Sequence, residues 1–378
     1  MTSSLPGEAL PVGPPEPGGD PAPRGKSAVK DTIVNAVAGV MLRTLPSVPN
    51  RVKRVLLGGH SVTIDGNTLD TTVQMMLAGQ RAAGIQGLVS SPSVDVARSQ
   101  FRILCTSFHQ DLPVAAVTNL SIPGPVGPIR ARHYKPFDSD APLLVFFHGG
   151  GHVIGDLETH DEVCRKFCRD GRMHVLAVDY RLAPEHKAPA GSEDAYASYR
   201  WALDHAEELG ADPTRVAVGG DSAGANLAAV VVQRARTEGT RLPALQLLLY
   251  PVANYKDQTR SRTLFAKGFL LTKRDTDWFA GHFIGGSGID AADPRVSPLL
   301  AEDLSGLPPA LVATAGFDPL RDEGNQYADA MRAAGVAVDH RVYRSLVHGF
   351  INLFPLGGDN ATATTDVISA VRAHLSRG

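Results

Sequence analysis

The sequence predicts an α/β fold, with an eight-stranded, mostly parallel sheet and helices on both faces. Short apolar runs at Leu143–Phe147, Val175–Val178, Val216–Val218, Leu245–Leu249 and Leu311–Ala315 alternate with helical patterns near Asp161–Arg169, Ser192–Glu208, Ala223–Ala235 and Glu323–Ala333. Runs without polar interruption belong to strands buried on both faces, which is the parallel-sheet condition. A second observation is the glycine-flanked serine Gly220-Asp221-Ser222-Ala223-Gly224, set between one such run and an alanine-rich helical segment.

The remaining elements follow along the chain. Residues 1–25 are dominated by proline and glycine with almost no large apolar side chains. Such a segment cannot bury enough surface to offset its ordering entropy, so a disordered tail is expected. Residues 26–110 read as helices: Ser27–Thr44 carries Ile33, Val34, Val37, Val40 and Met41 at helical spacing. Asp70 is the N-cap expected for a second helix with Val73, Met75, Met76 and Leu77, ending near Gly84, and a third runs from Ser93 to about Thr106. Preceding any strand-rich region, these helices form either a small domain or a cover on the next one. Val114–Leu120 and Ile129–Tyr134 alternate in polarity and flank Pro123-Gly124-Pro125-Val126-Gly127, which predicts an antiparallel pair. A last strand is expected at Val338–Tyr343 and a closing helix at Asp366–Leu375. Residues 111–378 therefore make the main domain.

Bulk properties narrow the function classes. At 378 residues, with 43% hydrophobic and 20% charged content, the chain can bury a full core. A formal net charge of −2 gives no electrostatic reason to expect nucleic acid. Cys164 and Cys168 lie one turn apart and Cys105 stands alone, which favours reduced thiols. Zinc on the pair lacks a second cysteine pair or a close histidine set to complete it. No stretch reaches the ~20 apolar residues needed to cross a bilayer. The first residues lack the basic and apolar regions of a secretion signal, so a cytoplasmic enzyme is expected.

The glycine spacing around Ser222 has a steric cause. A serine on a sharp strand-to-helix turn leaves no room for side chains two positions either side, and the turn aims a helix N-terminus at developing negative charge. His148-Gly149-Gly150-Gly151 follows the first parallel strand, where a glycine run exposes backbone N–H groups. Gly150, Gly151 and Ala223 are the expected oxyanion-hole donors. Asp318 and His348 each follow a predicted strand, on the rim where Ser222 also lies. The order Ser222, Asp318, His348 is that of a nucleophile, an orienting carboxylate and a general base. Asp322 and Glu323 read instead as charges capping the next helix, His340 lies within a strand, and His374 is on the terminal helix.

Together, His148–Gly151, Asp179-Tyr180-Arg181-Leu182-Ala183-Pro184-Glu185, Gly220–Gly224, Asp318-Pro319-Leu320 and His348-Gly349-Phe350 resemble the hormone-sensitive-lipase family of α/β-hydrolases. In detail the chain is similar to mycobacterial carboxylesterases of that family. The match spans about 114–378, and the Ser27–Thr106 helices resemble the N-terminal region of those enzymes. This resemblance implies a serine carboxylesterase without cofactor, acting through an acyl-enzyme on small-molecule esters of short to medium acyl chain. It also implies a helical cap over the acyl pocket, built from the N-terminal helices and an insertion near 255–290, and a homodimer through an edge strand. Rival readings are amide cleavage, which the triad does not separate, and a receptor on a disabled hydrolase, which predicts a missing histidine where His348 stands. A lipid-surface lipase is a third, because Ser27–Thr44 is apolar enough for peripheral lipid contact.

One position departs from the family. An aromatic residue usually follows the glycine run, and this chain carries His152, a smaller and more polar ring expected to reshape the pocket. His148, His152 and His160 invite a metal reading, but their loop has no matching carboxylate pattern. The insertion carries Phe265, Phe269, Leu270, Leu271, Trp278, Phe279 and Phe283; with Met75 and Met76, some of these are expected to line an apolar acyl site. Asp179, Arg181, Glu185 and Asp194 are expected to hold loops and helix ends together.

Overall fold

A computed structural model describes residues 44–107, 110–138 and 140–376. The expected tail at 1–25 and all but the end of the Ser27–Thr44 helix lie outside the described residues. The main sheet has eight strands: β3 (Ala116–Pro123), β4 (Pro128–Lys135), β5 (Ala141–Phe147), β6 (His174–Asp179), β7 (Ala211–Asp221), β8 (Gln246–Leu249), β9 (Ala310–Phe317) and β10 (Val338–Val347). Their spatial order is β10-β9-β8-β7-β5-β6-β4-β3. From β10 to β6 every neighbour is parallel, while β4 runs antiparallel to both β6 and β3. The fold class read from the sequence is the one observed.

Strand alternation divides the core in two. Leu143, Val145 and Phe147 of β5 enter one apolar cluster, while Leu144 and Phe146 enter the other. Helices α5 (Ala190–His205), α6 (Ala223–Glu238) and α9 (Arg321–Ala333) cover the first face. Helices α4 (Asp161–Gly171) and α10 (Gly358–Leu375) cover the second. Full burial on both sides explains why these strands read as unbroken apolar runs.

The N-terminal part holds three described helices: α1 (Asn50–Leu56), α2 (Thr71–Ala82) and α3 (Val94–Thr106). Asp70 caps α2, its Oδ1 accepting the N–H of Thr72 at 2.8 Å and of Val73 at 2.9 Å. Helix α1 and a short hairpin, β1 (Thr63–Ile64) with β2 (Asn67–Thr68), were not expected from the sequence. Each is too short to establish a periodicity. Between β8 and β9 the chain forms α7 (Arg260–Leu264) and α8 (Lys273–Phe283), the latter closed by a capping box of Thr272 and Asp275. No helix among the described residues is long and apolar enough to cross a membrane.

Candidate active site

Ser222 leaves β7 at φ 56°, ψ −115°, a left-handed backbone that a serine adopts only when its surroundings hold it there. Its N–H donates to the Leu249 carbonyl at 2.8 Å, and its own carbonyl accepts from Asn226 N at 3.0 Å at the head of α6. The flanking glycines are a packing requirement. A Cβ on Gly224 would strike the carbonyl oxygen of Phe147, and one on Gly220 would strike the same oxygen and the backbone of Gly224.

Strand ends bring three side chains together. Asp318 follows β9 and His348 follows β10, so both stand on the rim that Ser222 occupies. His348 Nε2 is 2.9 Å from Ser222 Oγ, and His348 Nδ1 is 2.8 Å from Asp318 Oδ2. The second oxygen of Asp318 accepts the Leu320 N–H at 2.8 Å, which fixes the carboxylate plane. Asp318 is fully buried, and the Tyr250 ring lies 4.7 Å from the imidazole. With Nδ1–H donated to Asp318, Nε2 is left as the acceptor for the serine hydroxyl.

Gly150 and Gly151 line the same cavity wall as Ser222 and His348. Ala223 is the first residue of α6, so its N–H has no acceptor within the helix. Gly151 has φ 62°, and a Cβ there would collide with the Phe279 ring.

The glycine loop is tied to the serine turn by Asp221. Its Oδ1 accepts the Gly149 N–H at 2.7 Å and lies 3.1 Å from His160 Nε2. Burial raises this carboxyl, but His160, the Gly149 N–H and His148 together outweigh burial and hold it below the usual carboxylate range. Tyr180 OH donates to the His148 carbonyl at 2.7 Å, bracing the loop from the other side. Asp221 was not singled out from the sequence. An acid at the end of an apolar strand was the available signal, since such a group must find partners inside the protein.

The three histidines of this region do different work. His160 pairs with Asp221, and the His148 ring stacks on Tyr180 at 4.4 Å. His152 stacks face to face on Phe283 at 3.8 Å, does not line the cavity, and has both ring nitrogens without partners among the described residues. Burial first, then His148, lowers its pKa to about 3. The expectation that His152 shapes the pocket surface is therefore corrected. On a backbone of φ 61°, its ring packs among Phe283, Tyr255 and Tyr180 and is not part of the cavity lining.

The cavity above Ser222 holds about 910 Å³ of space between atoms, its open mouth included. Leu88, Phe101, Leu104 and Cys105 line it from the N-terminal part. Val252, Tyr255, Arg262, Leu270, Leu271, Thr276 and Phe279 line it from the segment after β8, and Leu320 from the turn before α9. Met75 and Met76, expected at the acyl site, are buried in the core beneath α2 instead. Of the insertion aromatics, Phe279 faces the cavity, while Phe265, Phe269, Trp278 and Phe283 pack elsewhere. Helical spacing does not say which of two apolar faces meets a cavity and which meets the core.

Four charged residues hold surrounding loops. Arg181 grips Asp194 through Nε and Nη2, both at 2.8 Å, and Glu185 takes both Nη groups of Arg98 at 2.8 Å. Asp179 pairs with Arg130. Glu323 corrects the capping expectation. It is fully buried, pairs with Arg262 Nη2 at 2.7 Å, and accepts the N–H groups of Ala253 and Asn254. Its partner lies 61 positions away, beyond any local pattern.

A family profile described as the alpha/beta hydrolase fold matches residues 144–352. The chain is similar to the carboxylic ester hydrolase LipN of Mycobacterium tuberculosis, 55% identical over 384 residues and covering 100% of both chains. Esterase LipI of the same organism is 40% identical over 70% of this chain and 83% of its own. Among solved structures, an ester hydrolase from the metagenome of Lake Arreo matches with a TM-score of 0.75 and 42% identity, covering 80% of this chain and 97% of its own. A thermostable esterase of Pseudomonas putida matches with a TM-score of 0.77 and 33% identity, over 83% and 99%. The chain belongs to the α/β-hydrolase family, in its hormone-sensitive-lipase branch.

Proposed function

We propose that this carboxylic ester hydrolase cleaves small esters of short to medium acyl chain through an acyl-enzyme formed on Ser222. The observation that carries the reading is the hydrogen-bonded chain Ser222–His348–Asp318 opening on an apolar cavity. His348 Nε2 takes the hydroxyl proton as Ser222 Oγ attacks the ester carbonyl. Asp318 keeps the imidazole oriented and stabilises its protonated form. The N–H groups of Gly150, Gly151 and Ala223 receive the oxyanion. Collapse of the tetrahedral intermediate breaks the C–O bond, and the alcohol leaves with the proton held by His348. Water, deprotonated by His348, then attacks the acyl-enzyme; the acid departs and Ser222 regains its proton.

Several features belong to this same reading: a cap of residues 26–110 with the insertion near 255–290, a cytoplasmic location, and a homodimer through an edge strand. Peripheral lipid contact would fall on Ser27–Thr44, nearly all of which lies outside the described residues.

The test is initial rates on p-nitrophenyl esters from acetate to palmitate, with wild type and Ser222→Ala side by side. A rate peaking at short or medium chains and falling on the order of 10⁶-fold in the variant is expected. Folded wild type with no rate above the variant on any chain would overturn it and turn attention to amides.

A further inference from the structure

The cavity wall is mostly apolar, yet it contains a buried guanidinium. Arg262, on α7, lines the same cavity as Ser222 and His348, and only 8% of it is exposed. Its Nε donates to Glu323 Oε2 at 2.9 Å, and Nη2 donates to the Asn254 carbonyl at 2.9 Å while lying 2.7 Å from Glu323 Oε2. Nη1 has no partner among the described residues. Of the five N–H bonds of the rigid fork, the three on Nε and Nη2 face Glu323 and the Asn254 carbonyl, and the two on Nη1 are left over.

Nη1 carries no hydrogen bond to a described residue, and Arg262 belongs to the cavity lining, so whatever enters the cavity is favoured if it brings an acceptor for this donor. The charge around the site selects the kind of acceptor. Glu323 already neutralises Arg262, and Asp221 lines the cavity as well. A carboxylate ligand would add an uncompensated negative charge to an apolar space, whereas a neutral oxygen would not.

Resting on the esterase reading above, we infer that Arg262 is a specificity-determining residue whose Nη1 donates a hydrogen bond to substrates bearing a second, neutral carbonyl or ether oxygen. The ester carbonyl goes to Ser222 and the glycine loop; the second oxygen takes the guanidinium hydrogen bond. The substrate class is then an oxygenated ester, such as an oxo-acyl ester or a half of a neutral diester, ahead of a plain alkyl ester.

The test is a positional scan. In p-nitrophenyl acyl esters, and in butanoate esters of simple alcohols followed by pH-stat, one methylene at a time is replaced by a carbonyl. A charge-assisted hydrogen bond predicts a rise in kcat/KM of about tenfold or more at one position of one series, carried mainly by KM. Arg262→Lys, with its fold checked by near-ultraviolet circular dichroism, should lose that preference, since an ammonium has no planar fork paired to Glu323. A carboxylate at the favoured position should give no gain. If no position in either series improves on the alkyl ester, the inference is overturned by wild type alone, whatever the variant does. A preference that survives in folded Arg262→Lys, or a gain seen only with the carboxylate, also overturns it. Failure of the esterase reading itself looks different: wild type would hydrolyse neither series above Ser222→Ala.

Discussion

Asp275 and Leu88 stand 187 positions apart in the chain, yet the Leu88 N–H donates to Asp275 Oδ2 at 2.9 Å. The same carboxylate accepts the Val89 N–H at 3.2 Å and the Thr272 N–H at 3.0 Å, and it is fully buried. One side chain therefore joins the two chain segments that line the cavity from above. Asp275→Ala removes a helix cap and orphans two further backbone donors. It should lower stability by about 2–4 kcal/mol, read as a drop in urea midpoint. KM should rise more than kcat falls, because Leu88 and Phe279 would lose their fixed separation. Unchanged KM in a destabilised variant would mean that the carboxylate holds the fold without shaping the cavity.

Asp318→Asn keeps the size of the side chain and reverses one hydrogen-bond role. The amide can no longer hold His348 in the tautomer that leaves Nε2 free, so kcat should fall by about 10³–10⁴ with little change in KM. Steady-state kinetics on p-nitrophenyl butanoate would measure the split.

Two glycines make opposite predictions. Gly224→Ala forces a methyl against the Phe147 carbonyl and should cost at least about 3 kcal/mol or prevent folding. Gly281, exposed on α8, has open space around its absent side chain. Gly281→Ala should be neutral or stabilise by about 0.5–1 kcal/mol, through helix propensity alone. Thermal melts of the two variants give the comparison.

His152→Phe should raise the melting temperature. The phenyl ring can keep the stack on Phe283 and removes two buried nitrogens that have no partners among the described residues. A fall would show that the imidazole is satisfied by bound water, which a phenyl ring displaces without replacing.

Acid should weaken the fold through buried histidines. Burial lowers the pKa of His133 and of His174 to about 4, from the ordinary imidazole value of 6.5; the rings stack at 5.1 Å with Nε2 and Nδ1 2.9 Å apart. Below 6.5 the unfolded chain binds protons that the folded chain refuses. The stability contributed by the neutral rings is thus complete above about pH 6.5 and is lost as pH falls through 4. Urea midpoints should decline over that interval, and His133→Gln should flatten the decline relative to wild type. Parallel curves for the two proteins would argue against the pair as the cause.

Much of this protein is legible in its sequence because the information is local. The apolar runs at Leu143–Phe147 and Leu311–Ala315 announce strands buried on both faces, and Gly220 and Gly224 announce a turn too tight for side chains. The placement of Asp318 and His348 beside Ser222 follows from the sequence because a parallel sheet delivers the residues after its strands to one rim. Helix α1 and the β1–β2 hairpin do not, since a few residues carry no period.

Tertiary structure alone decided the rest. Phe279 faces the cavity while Phe265 faces the core, although both read as apolar positions in the same insertion. His152 packs on Phe283 instead of lining the cavity, and Glu323 pairs with Arg262 instead of capping its helix. The physical reason is range. A strand period or a steric limit acts within a few residues and is written in them. A buried charge or an apolar face has its energy set by whatever the fold brings against it from elsewhere in the chain.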